Sequence, residues 1–250
     1  MDTRHFALLG YPLEHSFSKR CFDAQRIPEA DYSLCAMPRL PDLHRWAEER
    51  GMSGFNVTSP FKTEAARQMD TLSVTAAETG AVNCVVVDGG KLAGHNTDAP
   101  AFASTLRGWM GSLGRPMPSI AVVMGTGGAA QAVSHALRSL GVSHCLASRT
   151  PQARPGSTGY GEARELLRLH GDVLLVNATP AGTSPRSETS AWPWPDELRA
   201  GMAVYDLVYN PSPTLLMKEA SARGADVCGG LAMLEEQARI SRVLWGLEQG

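Results

Sequence analysis

The chain has 250 residues, 43% of them hydrophobic and 19% charged, a balance that can bury a sizeable core and excludes a disordered polymer. Lysine and arginine number 23 against 25 acidic residues, a net charge of −2, so no basic excess points to a nucleic-acid partner. No apolar run reaches the length of a membrane helix, and the four apolar residues at 6–9 are too few for the core of a signal peptide.

Apolar runs at 6–9, 32–36, 55–57 and 82–87 read as strands, with helix-like segments at 19–25, 41–50 and 61–69 between them. A helix at 101–110 leads into a Gly/Pro-rich break at 108–118, which sets the main division near Asp98 with that helix as the connection. Strands follow at 120–124, 145–147, 173–176 and 204–208, separated by helices at 129–140, 162–170 and 214–223, and a last helix covers 231–247. This alternation predicts an α/β protein whose parallel sheets are covered on both faces. The polar, proline-rich stretch 183–195 reads as a surface loop in which Trp192 and Trp194 pack locally. Five scattered cysteines, with no C-x-x-C pair, read as reduced thiols of a cytoplasmic protein. The seven histidines show no zinc-ligand spacing, so no metal is expected.

The second half opens with strand, glycine-rich turn and helix. Gly125, Gly127 and Gly128 stand as G-x-G-G after the apolar run 120–124. One glycine permits the tight turn, another lets backbone approach a pyrophosphate, and the helix N-terminus offers N–H groups to it. Ala130 at the third position still allows close helix–strand packing. A purely structural glycine turn is the plain alternative. The next strand ends in Ala147-Ser148-Arg149-Thr150, and no Asp or Glu occurs between Gly125 and Gly161. A carboxylate there would bind the ribose hydroxyl of NAD, whereas a guanidinium pairs with the 2′-phosphate of NADP. Arg149, with the hydroxyls of Ser148 and Thr150 and with Arg154 as a further candidate, therefore favours NADP; a plain surface arginine is the other reading.

Four polar clusters punctuate the first half. In residues 10–18, Ser16 and Ser18 in an extended segment would face one way and hold a carboxylate, or else cap the next helix, while His15 reads as a packed or exposed histidine. In residues 54–62, Ser59 is a natural N-cap and Pro60 a natural first helical residue, which puts Lys62 in the first turn, the wrong place for a cation unless it reaches solvent or serves chemistry. Asn83 sits among strand residues and needs hydrogen-bond partners. Asp98 precedes a helix; it either caps it or, if the fold brings it to Lys62, forms an acid–base pair.

Taken in order, residues 10–18 (GYPLEHSFS), 54–62 (GFNVTSPFK), 80–83 (GAVN), 94–99 (GHNTDA), 124–132 (MGTGGAAQA), 148–150 (SRT), 177–183 (NATPAGT), 205–214 (YDLVYNPSPT) and 229–238 (GGLAMLEEQA) make the chain resemble the shikimate dehydrogenase family over nearly its whole length. The resemblance implies an N-terminal α/β substrate domain, a doubly wound Rossmann-type NADP domain, and a C-terminal helix returning to the substrate domain. It implies domains of 1–98 with 231–250, and 99–230. It implies that Lys62 and Asp98 are the catalytic pair and that Ser16, Ser18, Asn56, Thr58, Asn83, Tyr209 and Gln237 contact shikimate. Gly125, Thr126, Gly127, Gly128 and Ala129 would hold the pyrophosphate, Ser148, Arg149 and Thr150 the 2′-phosphate, and Leu207 and Gly230 the nicotinamide end. The activity implied is the reversible, NADP-dependent reduction of 3-dehydroshikimate to shikimate by a cytoplasmic monomer or homodimer. The site is expected in a cleft between the domains, with hinges near Asp98 and Gly229-Gly230.

The chain departs from the family pattern at four places. Lys19 stands where Ser-x-Ser is usually followed by proline, Phe22-Asp23 where a His-Asn pair is common, Thr126 where alanine is usual and Ser148 where asparagine is usual. The serine hydroxyls are kept, so the reaction type is expected to survive. The alternatives are a quinate or aminoshikimate dehydrogenase of the same fold, and a non-catalytic NADP-binding relative.

Overall fold

Alternating side chains build the first sheet. Along β1 (Arg4–Gly10), Phe6 and Leu8 face one way and Ala7 and Leu9 the other, and all four are buried, so both faces of this strand are covered. The computed structural model describes residues 3–14, 16–153 and 155–249; His15 and Arg154, singled out above, lie outside the described residues. The chain divides into two units, Met1–Ala101 with Glu235–Gly250, and Phe102–Leu234.

In the first unit β1 is followed by α1 (Ser18–Asp23), β2 (Ala30–Ala36), α2 (Leu43–Glu49), β3 (Met52–Val57), α3 (Lys62–Ala66), β4 (Thr71–Leu72), α4 (Val74–Thr79), β5 (Cys84–Asp88) and β6 (Lys91–His95). Helix α5 (Asp98–Ser112) runs on into the second unit. The strand order is β2-β1-β3-β5-β6-β4. Strands β1, β2 and β3 are parallel, but β5 runs antiparallel to both β3 and β6. The expectation of a parallel sheet is thus corrected for this unit. Only Gly89-Gly90 separates β5 from β6, and so short a link closes a hairpin and cannot make a parallel crossover.

The second unit matches the doubly wound expectation. Here β7 (Ile120–Met124), α6 (Gly128–Ser139), β8 (Ser143–Ser148), β9 (Ser157–Gly159), α7 (Tyr160–Leu169), β10 (Val173–Asn177), β11 (Ala203–Asp206), α8 (Leu215–Ser221) and β12 (Asp226–Gly229) follow one another. All pairs are parallel and the order is β12-β11-β10-β7-β8-β9, so the direction of winding reverses between β7 and β10. Its central strands read as unbroken apolar runs because helices cover both faces. The loop read as surface is only partly so. Trp192 is fully buried in this core, Trp194 meets it edge-on at 5.2 Å, and Arg164 lies 4.5 Å over the Trp194 ring.

Helix α9 (Leu231–Leu244) begins in the second unit and carries the chain into the first, where Trp245 donates from Nε1 to the Val85 carbonyl at 2.9 Å and packs 4.6 Å from Phe6. All five cysteines are free. Among the described residues no helix is long and apolar enough to cross a membrane.

Candidate active site

Strand register gathers the polar clusters of the first unit. Leu9 pairs with Val57, Asn56 with Cys84, and Cys84 with His95. The ends of β1, β3 and β6 and the start of β5 therefore share one edge of the sheet. The segments that carry Ser16, Thr58, Asn83 and Asp98 all leave from that edge.

Lys62 is the first residue of α3 and Asp98 the first of α5. The Lys62 ammonium donates to Asp98 Oδ2 at 2.5 Å, and the two side chains are only 16% and 8% exposed. A buried pair of this kind holds only when its remaining hydrogen-bonding capacity is filled. On the Asp98 side Asn83 does this, donating from Nδ2 to Asp98 Oδ1 at 2.9 Å, and it donates as well to Thr97 Oγ1 at 2.9 Å. The Thr97 amide donates to Asn83 Oδ1 at 2.7 Å, which fixes which way the Asn83 amide points. Gln237, on α9, accepts from the Thr97 hydroxyl at 3.3 Å and from Asn83 Nδ2 at 3.4 Å.

Asn56 is tied to the chain itself. Its Nδ2 donates to the Asn83 carbonyl at 3.0 Å and to Ser241 Oγ at 3.0 Å, and its Oδ1 accepts from the Tyr32 hydroxyl at 2.8 Å. Burial pushes the Tyr32 phenol well above its ordinary range, so it stays a neutral donor. Lys62, Asp98, Asn83, Asn56 and Gln237 thus form one hydrogen-bonded cluster. Tyr32, Thr97 and Ser241 belong to it as well: the β2-β1-β3 order brings in Tyr32, the β5–β6 hairpin Thr97 and the return of α9 Ser241.

Three readings of this region need correction. Phe61, not Ser59, caps α3, and the Phe61 amide closes a turn onto the Thr58 carbonyl at 3.0 Å, so Ser59 and Pro60 lie in that turn ahead of the helix. Asp98 does not cap α5, because its carboxylate is taken by Lys62 and Asn83; Asn96 Oδ1 accepts the Ala99 amide instead. Ser16 and Ser18 are not on an extended segment. Phe17 between them has helical angles, Ser18 opens α1, and Ser16 Oγ accepts the Ser18 amide at 3.3 Å. Both serines, like Thr58, are half-buried at the shared edge. Tyr209 lies in the second unit, half-buried on the segment joining β11 to α8.

In the second unit the glycine turn is built as its sequence requires. Gly125 has φ +117°, and a Cβ there would lie 3.0 Å from the Ala178 carbonyl oxygen, so glycine is obligatory. Thr126 follows it in the turn. Gly127 caps α6, a Cβ there would meet nothing within 4 Å, and among the described residues no side chain caps the first turn of Gly128 and Ala129. That leaves open space facing free helix amides, the surroundings a phosphate needs. At the end of β8, Ser148 Oγ accepts the Thr150 amide at 3.1 Å, while Arg149 and Thr150 are exposed. At Gly230 a Cβ would come within 2.1 Å of the Leu207 carbonyl oxygen, so these two backbones meet without room for a side chain. Asn177, Asp206 and Thr214, all within the segments 177–183 and 205–214, form a second buried polar group.

Residues 8–85 match the model of the shikimate dehydrogenase substrate binding domain. The NADP(+) shikimate dehydrogenase of Salinibacter ruber is 37% identical over 97% of this chain and 92% of its own length. The chain belongs to the shikimate dehydrogenase family. Among solved members of that family, the Thermus thermophilus enzyme in complex with NADP(H) and shikimate superposes with a TM-score of 0.84 at 34% identity, over 97% of this chain and 93% of that one. The quinate dehydrogenase of Corynebacterium glutamicum in complex with NAD superposes with a TM-score of 0.80 at 27% identity, over 98% of this chain and 94% of that one. The motifs that set the shikimate dehydrogenase resemblance, from the Lys62 segment to the Gly125 turn, fall at the strand ends described above.

Proposed function

We propose that this chain interconverts 3-dehydroshikimate and shikimate with NADP as its redox partner. The observation that carries the reading is the Lys62–Asp98 pair, 2.5 Å apart and braced by Asn83. Reducing a ring ketone turns its oxygen into an alkoxide, which needs a proton donor beside it. Lys62 supplies that proton at Nζ, and Asp98 holds the ammonium in place. In the oxidation of shikimate the Lys62 amine takes the hydroxyl proton back. Asn83 keeps Asp98 turned toward Lys62, so the lysine has one orientation to offer.

The substrate carboxylate falls to neutral donors, the hydroxyls of Ser16 and Ser18. Thr58 and Gln237 take ring hydroxyls. Asn56 and Asn83 contact the same ring, and Asn56 also braces Asn83 and α9 through its own amide. The second unit fits NADP: open space at Gly127 and free amides at the start of α6 suit a pyrophosphate, and exposed Arg149 suits the 2′-phosphate where no carboxylate stands. Leu207 and Gly230 would border the nicotinamide. When bound, the reduced nicotinamide supplies the hydride.

The likeness to a quinate dehydrogenase bound to NAD supports a second reading, quinate oxidation with NAD. The loss of the usual proline at Lys19 bears on the wall beside Ser18, and Arg149 weighs against NAD. Initial rates with shikimate and quinate, each with NADP and NAD, separate the readings by the absorbance of reduced nicotinamide. Shikimate with NADP is expected to be fastest. Faster turnover with quinate and NAD would replace this reading, and no turnover with any of the four pairs would end it.

A further inference from the structure

A carboxylate at the end of a central strand is costly when no water reaches it. Asp206 closes β11 and is fully buried. Its three hydrogen-bond donors come from three different segments. Oδ1 accepts from Asn177 Nδ2 at 2.8 Å and from the Val208 amide at 3.0 Å, and Oδ2 accepts from the Thr214 hydroxyl at 2.7 Å. These donors stand at the end of β10, on the segment leaving β11, and at the start of α8. Burial raises the Asp206 carboxyl above its ordinary value, while the bonds from Thr214, Val208 and Asn177 pull it down.

The bonds continue outward on both sides. Asn177 Oδ1 accepts from the amide and hydroxyl of Thr179 at 2.9 and 2.7 Å, and its Nδ2 also reaches the Ala181 carbonyl at 3.1 Å. The Thr179 methyl is one of the atoms that bar a side chain from Gly125, 3.2 Å from where its Cβ would stand. On the other side, the Leu207 amide donates to the Asn177 carbonyl at 3.0 Å, and the Gly230 amide donates to the Val208 carbonyl at 3.2 Å. The network therefore runs from the glycine turn to the place where the Leu207 and Gly230 backbones meet. Capping of α8 does not explain it, since Thr214 Oγ1 itself accepts the Met217 amide at 3.2 Å and Asp206 only fixes that hydroxyl. A doubly wound sheet binds one nucleotide on each half, at the carboxyl ends of its strands. The strands β10, β11 and β12 make up the second half, with Asp206 at its centre.

We propose that Asp206 is a positioning residue for the nicotinamide half of the dinucleotide, holding the Leu207–Val208 backbone at the height the ring requires. The inference rests on the NADP reading above. It separates the two halves of the cofactor, because Arg149 and the 2′-phosphate lie on the other half of the sheet.

The test uses the full chain and two ligands, NADP and adenosine 2′,5′-bisphosphate, which carries the adenine half alone. Asp206→Asn keeps the size of the side chain but turns one acceptor into a donor. It is expected to weaken NADP binding about tenfold, the loss of one charge-assisted hydrogen bond, and to leave the bisphosphate within about twofold of the parent. An equal loss for both ligands, or an unchanged NADP affinity, overturns the proposal. Thr214→Val removes only the bond to Oδ2 and the α8 cap, and Thr214→Ser keeps both. If Asp206→Asn does not fold, the same selective loss in Thr214→Val, with recovery in Thr214→Ser, supports the proposal, and its absence overturns it. A parent chain that binds neither ligand overturns the NADP reading itself, a result distinct from a parent that binds both and a variant that is unchanged.

Discussion

Replacing Asn83 by aspartate exchanges one nitrogen for an oxygen and leaves the shape of the side chain intact. The new oxygen would stand about where Nδ2 stands, 2.9 Å from Asp98 Oδ1, with both residues buried. Two ionised carboxylates at roughly 4 Å between charge centres repel by about 4 kcal/mol at an effective dielectric constant of about 20. The Lys62 ammonium, 2.5 Å from the other Asp98 oxygen, attracts both and offsets part of this, leaving about 2–3 kcal/mol. The variant relieves the repulsion by keeping a proton on the pair, so the new carboxyl titrates higher in the folded chain than in the unfolded one. A folded value above the unfolded one gives stability that is complete below the unfolded value, about 3.9, and lost as the pH rises through the folded value. Below that range the protonated acid still donates to Asp98 and still accepts the Thr97 amide, as asparagine does. Urea unfolding of parent and variant across the acid-to-neutral range is therefore expected to show near-equal stability at the acid end and a gap that widens to about 2–3 kcal/mol near neutrality. The ratio of variant to parent turnover should fall over the same range. A gap that is independent of pH, or absent near neutrality, would refute the placement of Asn83 against Asp98.

Lys62→Ala is expected to lower turnover at least about a hundredfold, the usual contribution of a positioned acid–base group, with shikimate affinity by calorimetry close to the parent's; turnover equal to the parent's would remove Lys62 from the chemistry. Arg149→Ala should raise the KM for NADP about ten- to hundredfold, the range of one charge-assisted hydrogen bond, and leave that for NAD unchanged; equal losses would make Arg149 a support of the fold. Burial lowers the pKa of half-buried His95 below its ordinary 6.5, so the parent should lose stability as the pH falls from 6.5 through the lowered value. His95→Gln should remove that component, and a parent and variant with parallel pH profiles would contradict it.

The most legible elements were those whose signal is local. The run 120–124 is β7 itself, five apolar residues of which four are buried, and the turn ahead of α6 is marked by Gly125, which its backbone angle and close approach require. Strand β4 has two residues, both exposed, and β12 has four, ending in glycine, so neither offers a period to read. The β5–β6 hairpin did leave a mark, Asp88-Gly89-Gly90-Lys91, and so did α4, where Ser73 accepts the Ala76 amide and Gly80 stands at φ +63° as its end. Lys62 and Asp98 could be picked out by residue type and by their places at helix starts. Their meeting depends on β3, β5 and β6 lying side by side, and 36 residues of sequence separation say nothing about that. The roles of Tyr32, Thr97 and Ser241 were less accessible still, since each is an ordinary core position until its partner strand or helix is known.

Buried polar groups are not spread evenly through the molecule. A buried amide, hydroxyl or carboxylate lowers stability unless its partners are complete, and an apolar side chain of similar volume would avoid the problem. Yet Asn56, Asn83, Asn96, Thr97, Asp98 and Ser241 are buried about one sheet edge of the first unit, and Ser148, Asn177, Asp206 and Thr214 at or beside the carboxyl ends of strands in the second. Among the buried polar residues away from these places, Ser134 is tied to His144 and Arg138, and Arg242 to Glu248. Stability alone would scatter such residues or remove them. Their concentration where strands end, with amides turned by backbone donors, is what orientation of a few reactive atoms demands: Asn83 is locked by the Thr97 amide, Asn177 by the Thr179 amide, and each in turn fixes a carboxylate. The same device, a backbone N–H that sets an asparagine which sets an aspartate, thus appears once in each unit. In the first unit the aspartate holds a lysine. In the second it holds backbone, and there a loss of the carboxylate should weaken NADP binding while leaving the proton transfer proposed for Lys62 in place.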